Sequence, residues 1–293
     1  MTNETKPRRV AVVGLGLMGT PIATRLQAAG HDLAVWNRTA GRDAILIAAG
    51  ARRAASPAEA ARGAEVVFVM VTDDAAVKAV VADVLAGAAA GTVIVDMSTV
   101  LPETSRALAA AALAKGCAYL DCPVSGSTEA AAKGALVVFA GGDAAALGGV
   151  RDLLAVVAGA VNAMGPSGAG TATQLAVNAL LGMGLQAAAE AVALGQALGL
   201  ERTRLIDALA STAVVSASQK RRLESARAGS YAPGFTLANM IKDFGLIETA
   251  AAAAGVTLPA LAASASSARA APKEALGSDA GVIIPTVEAR RRS

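Results

Sequence analysis

The amino-acid sequence predicts an α/β protein with an N-terminal, doubly wound parallel sheet at residues 1–164 and a C-terminal all-helical domain at residues 165–293. A length of 293 residues suits two domains of average size. In the first half, short β-branched runs alternate with Ala-rich stretches of helical length, which is typical of strands joined by crossover helices. After the segment Met164–Gly168, strand-like runs give way to helical periodicity.

The predicted strands are short, apolar and rich in β-branched residues, as parallel strands buried on both faces should be. They are Val10–Val13, Leu33–Trp36, Val66–Val71, Val93–Asp96, Ala118–Asp121, Leu136–Ala140 and Val156–Val161. Helices are predicted at Met18–Ala29 and Pro102–Lys115, since Gly30 and Gly116 follow them where helices commonly end. Their alternation with the strands predicts a sheet that is covered by helices on both faces.

The second half is predicted to begin with one long helix from Gly170 to Leu198, followed by shorter helices and connections at Ser211–Gln219 and Gly229–Gly234. The apolar stretch from Leu175 to Leu200 contains amide and acidic side chains, so we interpret it as a buried helix of a soluble protein rather than a membrane span. A helix this apolar also favours a homodimer over an exposed surface.

The composition excludes several classes of protein. Two cysteines, Cys117 and Cys122, and one histidine, His31, are too few for a disulfide framework or a Cys/His zinc site, so we expect no metal and a cytoplasmic location. The net charge is +3, and much of the positive excess lies in tails such as Lys6–Arg9 and Arg290–Arg292. Without a basic face interleaved with aromatics, nucleic acid is not an expected partner.

A glycine motif, Gly14-x-Gly16-x-x-Gly19, directly follows the first predicted strand and opens the first helix. In this context it indicates a Rossmann-type site, because glycines allow the turn, the approach of a pyrophosphate and close helix–strand packing. The amino end of the helix then offers N–H groups and a positive dipole to the phosphates. We therefore expect a dinucleotide on Gly14, Gly16, Leu17, Met18 and Gly19.

The end of the second strand reads Asn37-Arg38-Thr39. An NAD-specific site places Asp or Glu there to hold the ribose 2′-hydroxyl. Arg38 can instead pair with a 2′-phosphate and stack on adenine. The sequence therefore predicts NADP rather than NAD, with Asn37, Arg38 and Thr39 around the ribose.

The stretch Gly14–Thr39 resembles the opening of the β-hydroxyacid dehydrogenase family, which includes 3-hydroxyisobutyrate dehydrogenase and is related to 6-phosphogluconate dehydrogenases and imine reductases. Further segments resemble the family in the same order. The resemblance implies cofactor contacts at Val71, Thr72, Thr99 and Lys242. It also implies that Asp121–Ser127 is the substrate-binding signature, with Ser125, Gly126 and Ser127 binding a small carbonyl or hydroxy acid together with Asn178.

Two departures from the family pattern stand out. Ser127 occupies a position that is usually glycine, and Gln174 stands where the family has its catalytic lysine, four residues before Asn178. Residues four apart on a helix face the same way, so the resemblance implies that Gln174, Asn178 and Ser125 meet the reacting substrate. A glutamine can donate a hydrogen bond but is no acid or base near neutral pH.

The loss of the lysine leaves several interpretations open. The proton could come from Ser125, Ser127, Tyr231 or Asp243; the substrate could be an iminium ion, which needs no proton on the reacting atom, as in an imine reductase. A third interpretation is an NADPH-binding protein with little or no turnover, and a fourth is a glutamine introduced to trap a complex. Hydride transfer between NADP(H) and a small carbonyl compound is the leading interpretation.

Overall fold

The computed structural model describes residues 6–290, and the chain divides into two compact units, Met1–Gln174 and Leu175–Ser293. Arg291 and Arg292 of the basic tail lie outside the described residues. The division falls inside the long helix, after the boundary expected at residue 164. The first turn of this helix stays with the first unit because Asp121 accepts hydrogen bonds from the N–H groups of Gly168 and Thr171.

The first unit contains the sheet, and the predicted fold class is confirmed. Its strands are β1 (Arg9–Val13), β2 (Asp32–Trp36), β3 (Arg52–Arg53), β4 (Val66–Val69), β5 (Val93–Asp96), β6 (Ala118–Asp121), β7 (Val124–Ser125), β8 (Leu136–Gly141) and β9 (Ala158–Gly165). The strand order is β3-β2-β1-β4-β5-β6-β8-β7, with β9 paired to β8. Strands β1 to β6 are parallel, so their carboxyl ends share one edge, where α/β sheets bind ligands.

Helices cover both faces of this sheet. They are α1 (Gly19–Ala28), α2 (Ala44–Ala48), α3 (Pro57–Ala61), α4 (Asp74–Gly87), α5 (Pro102–Leu113), α6 (Thr128–Lys133), α7 (Ala144–Gly148) and α8 (Arg151–Val157). Alternate residues of β1 enter opposite cores: Val10 and Val12 belong to one apolar cluster, and Ala11 and Val13 to the other. Near-continuous burial of the strands explains why their sequences lack polar alternation.

Some predicted boundaries are wrong. The run Val156–Val161 is not one strand, because α8 continues to Val157 and buries Leu153, Leu154 and Val157 at helical spacing before β9 begins. A short apolar run fits a buried helix as well as a strand. The strand predicted at Val66–Val71 ends at Val69 because the Val71 N–H bonds to the Ser98 hydroxyl instead of a neighbouring strand.

The helices from residue 169 onward are α9 (Ala169–Ala197), α10 (Arg202–Ser211), α11 (Ala217–Ala228), α12 (Leu237–Ala253), α13 (Pro259–Arg269) and α14 (Ile283–Glu288), with 3₁₀ turns at Lys273–Ala275 and Ala280–Val282. The connection predicted at Ser211–Gln219 is shorter, because the side chains of Ser216 and Gln219 form a capping box that starts α11 at Ala217. A third apolar cluster forms the core of the second unit.

Among residues 6–290, α9 is the one helix whose length and composition would allow it to cross a membrane. Leu180 and Leu194 of this helix are exposed in the single chain, as is Leu198, which directly follows it.

Candidate functional site

The glycine loop between β1 and α1 contains two glycines that the protein itself requires. A Cβ on Gly14, whose φ is +99°, would lie 2.1 Å from the Met70 carbonyl oxygen, and one on Gly19 would lie 1.9 Å from the Gly14 carbonyl oxygen. A Cβ on Gly16 would meet nothing within 4 Å. The open space at Gly16 is what the close approach of a phosphate needs, so the loop fits the pyrophosphate of a dinucleotide.

The amino end of α1 lies beside this space. No side chain caps the helix, and its first turn contains no acidic residue. The positive end of the helix dipole therefore meets no competing carboxylate in its own first turn, which favours an anion. Leu17 is exposed and Met18 half-buried, so both expected cofactor contacts are accessible.

Asn37 at the end of β2 holds the glycine loop. Its Oδ1 accepts the N–H of Leu15 at 2.8 Å, and its Nδ2 donates to the carbonyl oxygen of Thr39 at 2.9 Å. An aspartate could accept the same Leu15 N–H but would bring a negative charge to the ribose. Asn37 thus keeps the loop contact without adding a negative charge.

The surroundings of Arg38 carry little negative charge. Arg38 and Thr39 are exposed at the end of β2. The next acidic residue, Asp43, is paired with Arg53, whose Nη2 lies 3.0 Å from Oδ1, and the hydrogen bond from Arg53 lowers the pKa of Asp43. A phosphate beside Arg38 would therefore meet cationic rather than unpaired anionic side chains nearby in the chain.

The loops after β4 and β5, where the cofactor contacts Val71, Thr72 and Thr99 are expected, are bonded to each other. The Ser98 hydroxyl accepts the Val71 N–H at 3.0 Å, and Asp74 Oδ1 accepts the Leu101 N–H at 3.1 Å. Asp73 caps α4 by accepting the N–H of Ala76 at 2.9 Å. Sequence reasoning missed the roles of Ser98 and Asp74, because each depends on a partner 27 residues away in the chain.

The segment expected to bind substrate forms β7 and the turn into α6. Ser125 is half-buried, and Gly126 has φ +144° with Leu136 Cδ2 only 2.7 Å from where a Cβ would lie, so glycine is required. Ser127 is the N-cap of α6, and its hydroxyl accepts the Ala130 N–H at 3.2 Å. This cap gives the unusual serine a structural reason.

Gln174 and Asn178 lie one helical turn apart on α9, and both are buried, with exposed fractions of 4% and 8%. Their spacing places both side chains on one side of the helix, as the sequence predicts.

Within the second unit, Asn178 contacts the α12 segment that carries Lys242. Asn178 Nδ2 donates to Asp243 Oδ2 at 2.8 Å, and Lys242 Nζ lies 2.9 Å from Asp243 Oδ1. Asp243 is 3% exposed, and burial raises its pKa against the opposing effects of Lys242 and Asn178. The second unit thus joins the expected substrate ligand Asn178, the expected cofactor ligand Lys242 and a titratable acid.

Two of the other expected proton donors lie in different surroundings. Burial raises the pKa of the Tyr231 phenol, beside Arg202 and Glu288. The Ser127 hydroxyl accepts the Ala130 N–H in its cap, which leaves its own proton free to donate. Among residues 6–290, no cluster of three or more His, Cys, Asp or Glu side chains could hold a metal ion.

Two family models match the chain. The NAD binding domain of 6-phosphogluconate dehydrogenase matches residues 9–165, and the NAD-binding domain of NADP-dependent 3-hydroxyisobutyrate dehydrogenase matches residues 168–284. The NAD-dependent L-serine dehydrogenase of Pseudomonas aeruginosa is 37% identical over 86% of this chain and 88% of its own length. The chain belongs to the β-hydroxyacid dehydrogenase family.

Solved structures agree with this assignment. A Mycobacterium tuberculosis 3-hydroxyisobutyrate dehydrogenase with L-serine is 30% identical, with a TM-score of 0.89 over 98% of this chain and 100% of that one. Psf3 in complex with NADP⁺ and 2-OPP is 28% identical, with a TM-score of 0.84 over 95% and 99% of the two chains. The chain is an oxidoreductase of the hydroxyacid dehydrogenase type with NAD(P)-binding domains.

Two relatives bear on the alternative functions. A Streptomyces aurantiacus imine reductase is 26% identical, with a TM-score of 0.63 over 94% of this chain and 98% of that one. The human cytokine-like nuclear factor N-PAC is 31% identical over 82% of this chain but only 44% of its own length.

Proposed function

We propose that this protein is an NADP-dependent oxidoreductase that transfers hydride between NADP(H) and a small carbonyl compound or 3-hydroxy acid. The observation that carries the proposal is the pairing of Asn178 with the buried acid Asp243, since it supplies a proton-transfer group to a chain that has Gln174 in place of lysine. When bound, the cofactor supplies or accepts the hydride at C4 of its nicotinamide ring.

The preference for NADP rests on the end of β2. Asn37 holds the glycine loop without a negative charge, Arg38 is exposed, and Asp43 is paired with Arg53. An arginine fork suits a 2′-phosphate, whereas the ribose hydroxyl of NAD calls for an acidic acceptor. The Pseudomonas aeruginosa relative is NAD-dependent by name, so comparison of NADPH and NADH dissociation constants tests this part directly.

The proposed substrate is a small 3-hydroxy acid or the matching aldehyde, held by Ser125, Gly126 and Asn178. L-Serine, which is a 3-hydroxy acid, appears in the name of one relative and the structure of another. An ionised Asp243 can only accept hydrogen bonds, so it orients the Asn178 amide with Nδ2 towards the carboxylate.

In reduction, we propose that protonated Asp243 gives its proton to the carbonyl oxygen as hydride reaches the carbonyl carbon. The resulting carboxylate is stabilised by Asn178 Nδ2 and Lys242 Nζ and is reprotonated from water. In oxidation, the same carboxylate takes the hydroxyl proton. Burial raises the pKa of Asp243, which favours the protonated form of this carboxyl group.

Turnover assays test this function against its alternatives. NADPH oxidation is followed with three- and four-carbon semialdehydes and glyoxylate, and separately with cyclic imines, for the natural chain and for Gln174→Lys. Reduction of a carbonyl compound by the natural chain supports the proposal. Turnover of imines alone favours imine reduction, which Gln174 and the imine reductase relative make the second candidate. NADPH binding without turnover on either panel, with activity restored by Gln174→Lys, favours a protein that binds the cofactor without using it.

We also propose that the protein is a homodimer, since Leu180 and Leu194 of α9, and Leu198 directly after it, are exposed in the single chain. Sedimentation equilibrium of the natural chain and of Leu194→Lys tests this: a dimer should be weakened by the charged side chain.

A further inference from the structure

A buried carboxylate at the end of β5 holds the loop that carries Thr99. Asp96 is 1% exposed, and its Oδ1 accepts the Ser98 N–H at 2.9 Å. The Ser98 hydroxyl in turn accepts the Val71 N–H at 3.0 Å. Asp96 thus supports the loops after both β4 and β5.

A second buried carboxylate, at the end of the neighbouring strand β6, holds the start of α9. Asp121 Oδ1 accepts the Gly168 N–H at 2.8 Å, and Oδ2 accepts the Thr171 N–H at 2.9 Å. A Cβ on Gly170 would lie 2.4 Å from the Asp121 carbonyl oxygen, so glycine at this position allows the helix end to approach the strand. Thr171 is three residues before Gln174.

Hydroxyl groups join the two carboxylates. Tyr119 donates to Asp96 Oδ2 at 2.7 Å. The nearby Ser105 side chain acts to lower the pKa of the Tyr119 phenol, and Ser105 Oγ lies 3.3 Å from Thr171 Oγ1. Tyr119, Ser105 and Thr171 are 4%, 0% and 1% exposed. A row of buried polar side chains therefore connects the β5 loop with the first turn of α9, all within the first unit.

We propose that Tyr119, with Asp96 and Asp121, forms a positioning element that fixes the first turn of α9, and with it Gln174, relative to the loop carrying Thr99. The positioning role in hydride transfer rests on the proposed function; the connection itself does not. None of the three side chains contacts substrate in this account.

The Tyr119 hydroxyl donates to Asp96. The Thr171 hydroxyl lies within hydrogen-bond distance of Ser105 Oγ, of Asp121 Oδ2 at 3.3 Å and of the Gly168 carbonyl oxygen at 3.1 Å, so it reaches the second carboxylate. Burial raises the pKa of Asp96 to about 6, with Asp121 adding to the rise and Tyr119 opposing it. Of the other groups nearby, the Cys122 thiol has a raised pKa and stays neutral.

Tyr119→Phe removes the bridging hydroxyl and keeps the ring. Thr92→Val is the matched control, since Thr92 is buried just before β5 and its hydroxyl donates to Ala64 O at 3.2 Å, at the opposite end of the strand. The double variant Tyr119→Phe/Asp96→Asn removes the unpaired buried charge that Tyr119→Phe leaves, without restoring the connection. Hydrogen exchange of residues 97–101 and 168–174 is measured for each protein, with thermal unfolding, NADPH binding and turnover.

We expect Tyr119→Phe and the double variant to lose about tenfold or more of amide protection in both segments, while Thr92→Val does not. Turnover should fall by a similar factor with the NADPH dissociation constant changed less than twofold, and the acid limb of the turnover profile should move to higher pH in Tyr119→Phe. The proposal is overturned if protection at 168–174 is unchanged, or if the double variant restores it together with thermal stability. Hydrogen exchange tests the connection even if the natural chain turns over no substrate. The absence of turnover would contradict the proposed function but not the connection.

Discussion

Two buried aspartates, one in each unit, differ in the kind of donor that holds them. Asp121 in the first unit accepts backbone N–H groups of Gly168 and Thr171, which are fixed by the start of a helix. Asp243 in the second unit faces two side chains, Asn178 and Lys242. Burial raises the pKa of both, so burial alone does not separate a structural carboxylate from a reactive one. The backbone donors, with the Thr171 hydroxyl, give Asp121 a structural role, whereas the side-chain donors of Asp243 suit the proton transfer that we propose for it.

The largest effect is expected from removal of the Asp243 carboxyl group, which we propose as the proton-transfer group. Asp243→Asn should lower turnover about 10²–10⁴-fold, the range typical of a lost acid–base catalyst, with NADPH affinity nearly unchanged. Asp207→Asn is the control, since Asp207 forms an exposed ion pair with Arg227 and should leave turnover intact. Steady-state kinetics measure both, and an Asp243→Asn enzyme within a few-fold of the natural one would contradict the assignment.

Asp121→Asn should act on stability instead. The amide would turn a donor towards the Gly168 or Thr171 N–H group, leaving a buried donor unsatisfied at a loss of about 2–4 kcal/mol in the free energy of unfolding. Asp143 caps α7 at an exposed position, where asparagine caps equally well, so Asp143→Asn should cost less than about 0.5 kcal/mol. Urea unfolding of the two variants tests the contrast, and equal losses would refute it.

A third buried aspartate, Asp96, extends the comparison to the pH dependence of the unfolding free energy. Its pKa is raised from 3.8 to about 6 in the folded protein, so its contribution to stability is present below about pH 4 and is lost as the pH rises to about 6. Between pH 4 and pH 7, the natural chain should lose about 1–3 kcal/mol of unfolding free energy through Asp96, and the Asp96→Asn variant should not show this loss. Unfolding free energies from pH 4 to 7 measure the effect, and an unchanged slope would show that Asp96 is not the group responsible.

The smallest expected effect concerns the cofactor. Arg38→Ala should weaken NADPH binding about tenfold and leave NADH binding unchanged, because only NADPH has a 2′-phosphate. Arg62→Ala, another exposed arginine of the first unit, should change neither dissociation constant. Fluorescence titration decides, and an equal loss for both cofactors would place Arg38 away from the 2′-phosphate.

Features that depend on neighbouring residues were predictable from the sequence. The spacing of Gly14, Gly16 and Gly19 after an apolar strand predicts the loop, because the turn, the helix start and the close packing all lie within six residues. Burial on both faces likewise makes the parallel strands readable as apolar runs. The prediction of one strand at Val156–Val161 was wrong because an apolar run this short does not distinguish a helix from a strand.

Features that depend on distant pairs were not predictable. Asp243 and Asn178 are 65 residues apart, and Asp121 and Thr171 are 50 apart, and no local pattern marks either pair. Asn37 was expected at the ribose, and its bond to Leu15 at a separation of 22 residues appears only in the fold. The resemblance to a family located Gln174 but left open which group, if any, supplies the proton in place of the lysine.

The most direct test of the central claim is the turnover of four proteins: the natural chain, Asp243→Asn, Gln174→Lys and the double variant. If Asp243 carries the proton that a lysine carries elsewhere in the family, Asp243→Asn should be about 10²–10⁴-fold slower, and Gln174→Lys should restore the double variant to within about tenfold of the natural rate. A double variant no faster than Asp243→Asn, or an Asp243→Asn enzyme that is fully active, would contradict the account.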